Sequence, residues 1–218
     1  WPGRPWCHVG IVVHAGAMHD EPGLEGTAHF LEHLVSENLG DTSKRDLEDL
    51  FASWGGTVRL GNTWYGKTSY GFSVPNDPSI VRRALGLIGR MVIRPALGRH
   101  MEKERAIILA EYHQRFPFAF MAETAWRGKR MVHAGHWPER FLRALGAPES
   151  ITKIGMDDCQ KFGVERYVPA NMQLVFVSGS PTGEIFDLVR QSVFGMAEAG
   201  ERTPVAVPLA EAPVPQET

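Results

Sequence analysis

The segment His29-Phe30-Leu31-Glu32-His33 constrains this chain more than any other part, because it asks for two imidazoles and a carboxylate on little more than one helical turn. Around it, positions 28, 30, 31, 34 and 35 are apolar, and at 3.6 residues per turn that spacing gives a helix with one buried stripe. We place this helix at 27–39, after a Gly23-Leu24-Glu25-Gly26 loop. Spacing of i, i+4 brings His29 and His33 to one face, where each can offer a ring nitrogen to a single tetrahedral zinc ion. Glu32 precedes the second His, so it lies beside that face without being forced onto the ion. A carboxylate there can take a proton from water. Surface helices also carry His and Glu together, so the metal reading needs a further ligand elsewhere in the chain.

The order HxxEH inverts the HExxH of the thermolysin-type zinc peptidases, and its third ligand is expected to be an acid well downstream. A second helical stretch, Glu102-Lys103-Glu104-Arg105-Ala106-Ile107-Ile108-Leu109-Ala110-Glu111-Tyr112, carries Glu104 and Glu111 seven residues apart. Two turns of helix put them on one face. With this pair in place, the chain resembles the M16 (pitrilysin-like, inverzincin) metallopeptidases, and in particular a single N-terminal-type half carrying HxxEH. The interval from His33 to Glu111 is one residue longer than is usual in that family. The resemblance implies that His29, His33 and Glu111 are metal ligands. It makes Glu32 the general base and Glu104 a supporting acid, counted with the catalytic residues.

The likeness continues along the chain. Val9 to Gly23 resembles the family's strand and turn leading into the zinc helix, and Trp54-Gly55-Gly56-Thr57 with Lys67-Thr68-Ser69-Tyr70 occupies the place of its next strands. Ile151-Thr152 and the run from Phe162 to Leu174 are similar to its closing helix and strand. The resemblance implies an α+β fold, a layered half-clamshell domain with a mostly antiparallel sheet packed against helices. It also implies that a peptide substrate adds as a strand to an exposed edge, here Leu60-Gly61-Asn62-Thr63. At that place the family has Asn-Ala-aromatic-Thr, so Leu60, Gly61 and Asn62 depart from its pattern, with Trp64 and Tyr65 standing next to them. M16 peptidases work as two similar halves, so a homologous partner, in a hetero- or homodimer, is expected. Arg166-Tyr167 closes this half and is not read as the Arg-Tyr pair of the family's second half.

The alternation of elements independently argues for an α+β or layered α/β domain. Strands are expected at 9–15 and 172–178, a hairpin over 56–74, and helices at 27–39, 43–54, 78–91, 98–114, 157–166 and 182–194. The stretch 116–145 is expected to be irregular, because Pro117, Gly128, Gly135 and Pro138 interrupt it. With 218 residues there is volume for one sizeable core. We read 1–200 as the peptidase-like domain and 201–218, rich in Pro and Ala, as a tail or linker.

Net charge of -2 and a pI near 6.5 give no electrostatic footprint for nucleic acid. No apolar run approaches the roughly 18 residues of a membrane span. The chain opens on Trp1, which reads as trimming or a removed leader. A cytoplasmic setting is favoured, with a periplasmic or secreted one if a leader was removed. Abundant Ala, Arg and Gly fit a bacterial chain. Cys7 and Cys159 form no framework and are read as two buried or free thiols, with a single disulfide as the alternative. The expected activity is that of a zinc-dependent endopeptidase subunit acting on peptides or unfolded segments. The alternative is a non-catalytic scaffolding or peptide-binding homologue.

Overall fold

Strand β1, Trp6–Val13, alternates in and out, with Cys7, Val9, Ile11 and Val13 buried on one face. It is one of the two inner strands of a four-stranded sheet in the computed structural model, which describes residues 3–201 except 38, 40–41, 94, 96, 98–99 and 133–142. The other strands are β2 (Thr57–Arg59), β3 (Thr68–Pro75) and β4 (Met172–Val177), in the order β2-β3-β1-β4 and antiparallel throughout. Register places Ile11 opposite Tyr70 and Leu174, and Val9 opposite Phe72 and Phe176. These aliphatic–aromatic and aliphatic pairs stabilise the buried face. The expected layered α+β half, with an antiparallel sheet against helices, is the architecture observed.

The helices are α1 (Thr27–Ser36), α2 (Lys44–Ser53), α3 (Pro78–Val92), α4 (Met101–Arg115) and α5 (Ala119–Val132), followed by α6 (Pro148–Ile151), α7 (Met156–Arg166), α8 (Thr182–Arg190) and α9 (Val193–Met196). α1 packs against α7, α4, α3 and β3. Phe30, Leu31, Leu34 and Val35 of α1 join the core with Leu85, Ile88 and Met91 of α3. α1 sends Ala28, Phe30, Leu31, Leu34 and Val35 into the core, while Thr27, His29, Glu32, His33 and Ser36 are the polar groups it carries with them.

The start of α1 is fixed by a buried carboxylate. The Gly26 and Ala28 N–H groups donate to Asp20 Oδ2 and Oδ1 at 2.7 and 2.9 Å, so an anion meets the first unpaired amides of the helix. Gly26 itself has φ 105°, and a Cβ there would stand 3.0 Å from Gly146 Cα. Both the left-handed backbone and the crossing with the 145–146 segment therefore require glycine.

Two sequence expectations need correction. α5 runs for 14 residues where an irregular stretch was expected. Pro117 lies ahead of its first turn, and Gly128 costs only about 1 kcal/mol relative to Ala, less than a proline would. Of the breakers named there, Gly135 and Pro138 lie outside the described residues. The single helix expected at 182–194 is two, because Ser192 Oγ accepts from the Phe194 N–H and starts a new turn. Smaller shifts occur at ends: α1 stops at Ser36, and Leu39 instead bridges to Thr42. Cys7 and Cys159 are buried free thiols. The tail read at 201–218 lies outside the described residues from 202 on. Among the described residues no helix is long and apolar enough to cross a membrane.

Because Asp20 pairs two buried amides, Asp20→Ala should lower stability by about 2 kcal/mol, measured by thermal or denaturant unfolding. A loss below about 0.5 kcal/mol would mean that α1 does not depend on this carboxylate.

Candidate metal centre

α1 and α4 lie side by side, and this contact brings together groups that are far apart in the chain. His29 Nε2 and His33 Nε2 each lie 3.6 Å from Glu111 Oε2. The two rings meet edge to face at 4.8 Å between centroids. Ligands at about 2.0–2.1 Å from one tetrahedral ion stand about 3.4 Å apart, so each nitrogen lies near the separation from the carboxylate oxygen that zinc needs. Among the described residues, His29, His33 and Glu111 are the group that could hold a metal ion, with one donor atom from each and all within 4.8 Å. Two imidazoles and one carboxylate, with Glu111 still 40 % exposed, form an open-sided set of the kind that leaves a position for a non-protein ligand.

A second layer orients this set. Glu104, one face-repeat before Glu111 on α4, is fully enclosed and accepts from His33 Nδ1–H at 3.0 Å. That bond fixes the tautomer and turns Nε2 toward Glu111. The buried Glu104 charge is offset by Lys44 Nζ on α2 and Lys103 Nζ on α4, each 3.8 Å from one of its oxygens. Burial pushes the Glu104 carboxyl up, but the His33 bond and the Lys44 and Lys103 charges outweigh it and hold it below the usual range. Glu111 is also held low, chiefly by its hydrogen bond with His33. The imidazoles split. Burial lowers His29 to about 4, with the neighbouring His33 charge acting in the same sense. Burial also pulls on His33, yet its bonds to Glu104 and Glu111 win and raise it to about 9.

Glu32 sits half-buried beside this group, and burial raises its carboxyl above the usual range. Thr63 Oγ–H donates to Glu32 Oε2 at 2.8 Å. Gly61 presses against the same carboxylate, since a Cβ on residue 61 would fall 2.3 Å from Glu32 Oε1. A side chain there would displace Glu32 from its present position, which gives the Gly61 departure a physical reason. Behind Thr63, a hydroxyl chain runs inward: Thr68 Oγ lies 3.3 Å from Thr63 Oγ and donates to Ala15 O. Tyr167 hydrogen-bonds Thr68 and stands 3.0 Å from the buried Tyr70 hydroxyl.

The four residues expected to form a substrate edge have different surroundings. Leu60 packs against the core, Gly61 and Thr63 face Glu32, and Asn62 lines a neighbouring cavity. They follow β2 rather than extending it, and Thr63 pairs with Thr68 in a single bridge. Sequence reasoning missed Lys44 and the Thr63–Glu32 bond. Neither has a spacing signal, because both depend on tertiary contacts between elements.

The profile of the family described as Insulinase (Peptidase family M16) matches residues 2–132. The chain is 25% identical over 195 residues to the mitochondrial-processing peptidase subunit beta of Homo sapiens, covering 86% of this chain but 37% of that protein. In structure it resembles the periplasmic protease PqqL from Escherichia coli, with a TM-score of 0.80 and 18% identity over 98% of this chain and 24% of that one. It is also similar to a peptidase M16 inactive domain from Pseudomonas fluorescens, with a TM-score of 0.78 and 15% identity over 98% of this chain and 50% of that one.

The protonation pattern makes a calorimetric prediction. At pH 6 His33 holds a proton, whereas His29 is neutral and Glu111 is ionised, so seating an ion on all three displaces about one proton. Zinc titrations in buffers of different ionisation enthalpy should show this release, and none at all would contradict the assignment. Without metal, the raised His33 value gives stability that is full below about 6.5 and lost as pH rises through about 9.

Proposed function

Because this chain belongs to the M16 (insulinase) peptidase family, we propose that it is the metal-bearing part of a zinc-dependent endopeptidase that cuts peptides or unfolded segments. The observation that carries this reading is the convergence of His29, His33 and Glu111 with a separate carboxylate, Glu32, held beside them. A purely structural site has no use for that fourth group.

Bound at this triad, zinc supplies Lewis-acid polarisation of a carbonyl and acidifies a water. The chain's own residues do the rest. Glu32 accepts the proton of the attacking water and returns it to the departing amine, a task suited to a carboxyl raised by burial. Thr63 occupies Oε2 of Glu32, which leaves Oε1 for that proton. Glu104 holds His33 by Nδ1, and Lys44 balances the charge so that the pair stays buried and ordered. Peptide lies along the 60–63 segment, where Gly61 keeps the backbone close to Glu32.

We further propose that a second M16-like half completes the active chamber. This chain spans 37% of the length of the human processing-peptidase subunit and 24% of PqqL. The partly exposed Glu111 marks an open side that a further half would close. The likeness to an inactive M16 domain favours a second reading, a homologue that binds peptide without cutting it. Glu32 distinguishes the two.

Glu32→Gln should keep zinc at the wild-type level while cleavage of a mixed fluorogenic peptide library falls about 10²- to 10⁴-fold, read by plasma mass spectrometry beside the assay. Undiminished turnover would remove Glu32 from the mechanism.

A further inference from the structure

A cavity of about 310 Å³ opens next to the metal group, between the segment after β2 and the α4–α5 corner. It is continuous with the reacting side, because Thr63 both lines it and donates to Glu32. Arg115 lies one helical turn after Glu111 and lines its other side. The walls are aromatic: Trp64, Tyr65, Phe116 and Trp126. Lys129 places its ammonium 4.6 Å from the Trp126 ring centroid and 5.4 Å from that of Tyr65. The Arg115 charge acts on Glu111 and His29 from this wall, without a direct ion pair to either. Among the described residues, two cations and no acid line this space. Their sign decides what can enter: a lysine or arginine would meet like charge, whereas a carboxylate gains a charge-assisted partner and aromatic walls for its methylene stem.

We propose that this cavity is a specificity pocket for a peptide carboxylate, carried by a Glu or Asp side chain next to the scissile bond. The inference rests on the peptidase reading for its position along the substrate. It does not rest on it for the binding of a carboxylate. Arg115 is the specificity-determining residue, and Lys129 supports it by making the aromatic wall positive. The sequence pattern gives no hint of the pocket, since 64–65, 115–116 and 126–129 meet only in three dimensions.

The test uses zinc-loaded full chain and a set of C-terminally amidated peptides that differ by Glu, Gln or Lys at each position around one cleavage site. A free-acid copy of the Gln peptide separates a terminal carboxylate from a side-chain one. Cleavage is read as kcat/KM, and binding is read by fluorescence anisotropy on the Glu32→Gln variant, so both arms report. Glu should exceed Lys at one position by about fivefold in both arms, as a partly exposed charge pair allows. Arg115→Glu should reverse the preference and Arg115→Lys should retain it, with unchanged thermal unfolding and zinc content as controls. Equal cleavage and equal binding of the Glu and Lys peptides would overturn the pocket and leave the peptidase reading intact. Carboxylate-selective binding without cleavage would support the pocket and show that this half does not cut on its own. Preference for the free-acid peptide alone would reassign the pocket to a chain terminus.

Discussion

Burial of α1 is the constraint on which the other features depend. Helix α1 is packed on several sides, yet it carries two imidazoles, a carboxylate and its own unpaired N-terminal amides into that interior. Unpaired polar groups cost several kcal/mol when removed from water, so each must be met. Asp20 meets the amides, Glu104 meets His33, and Thr63 meets Glu32. Each partner comes from a different part of the chain, and satisfying α1 therefore draws the loop before it, helix α4 and the segment after β2 to one place. On α1 itself His29 Nδ1 is buried without a hydrogen-bond partner among the described residues, as is Oε1 of Glu104 on α4.

This arrangement also separates the roles of chemically similar groups. Glu104 and Glu111 share a helix face, but Glu104 is enclosed and committed to His33, while Glu111 reaches solvent and faces both imidazoles. Glu32 is held by a neutral hydroxyl instead of a cation, and burial raises its carboxyl where Glu104 is lowered. Three glutamates at one site thus acquire three behaviours from their surroundings. On the outer side the charge changes sign again, with Arg115 and Lys129 facing the space a substrate side chain would enter.

Local patterns made much of this readable in sequence. Periodicity located α1, α3 and α4, alternation located β1 and β3, and spacing of i, i+4 and i, i+7 placed the two His and two Glu on common faces. What pattern could not supply was anything fixed by contact between elements. Lys44 follows the N-cap of α2 like many solvated lysines, and only folding brings it to Glu104. Thr63 reads as a substrate-edge residue, and only the turn that pairs it with Thr68 shows that its hydroxyl also meets Glu32. α5 was obscured because a helix supported by Phe116–Trp126 packing tolerates a glycine that local propensity counts against it.

The claim at the centre of this account is that α1 and α4 together hold one ion. Metal content of the purified wild-type chain and of Glu111→Ala, determined by plasma mass spectrometry after dialysis against limiting zinc, tests it most directly. The geometry predicts about one zinc per wild-type chain and its loss from the variant, with folding retained because Glu111 is partly exposed. Equal zinc in both proteins would move the third ligand away from Glu111, and no zinc in the wild type would contradict the metal centre itself.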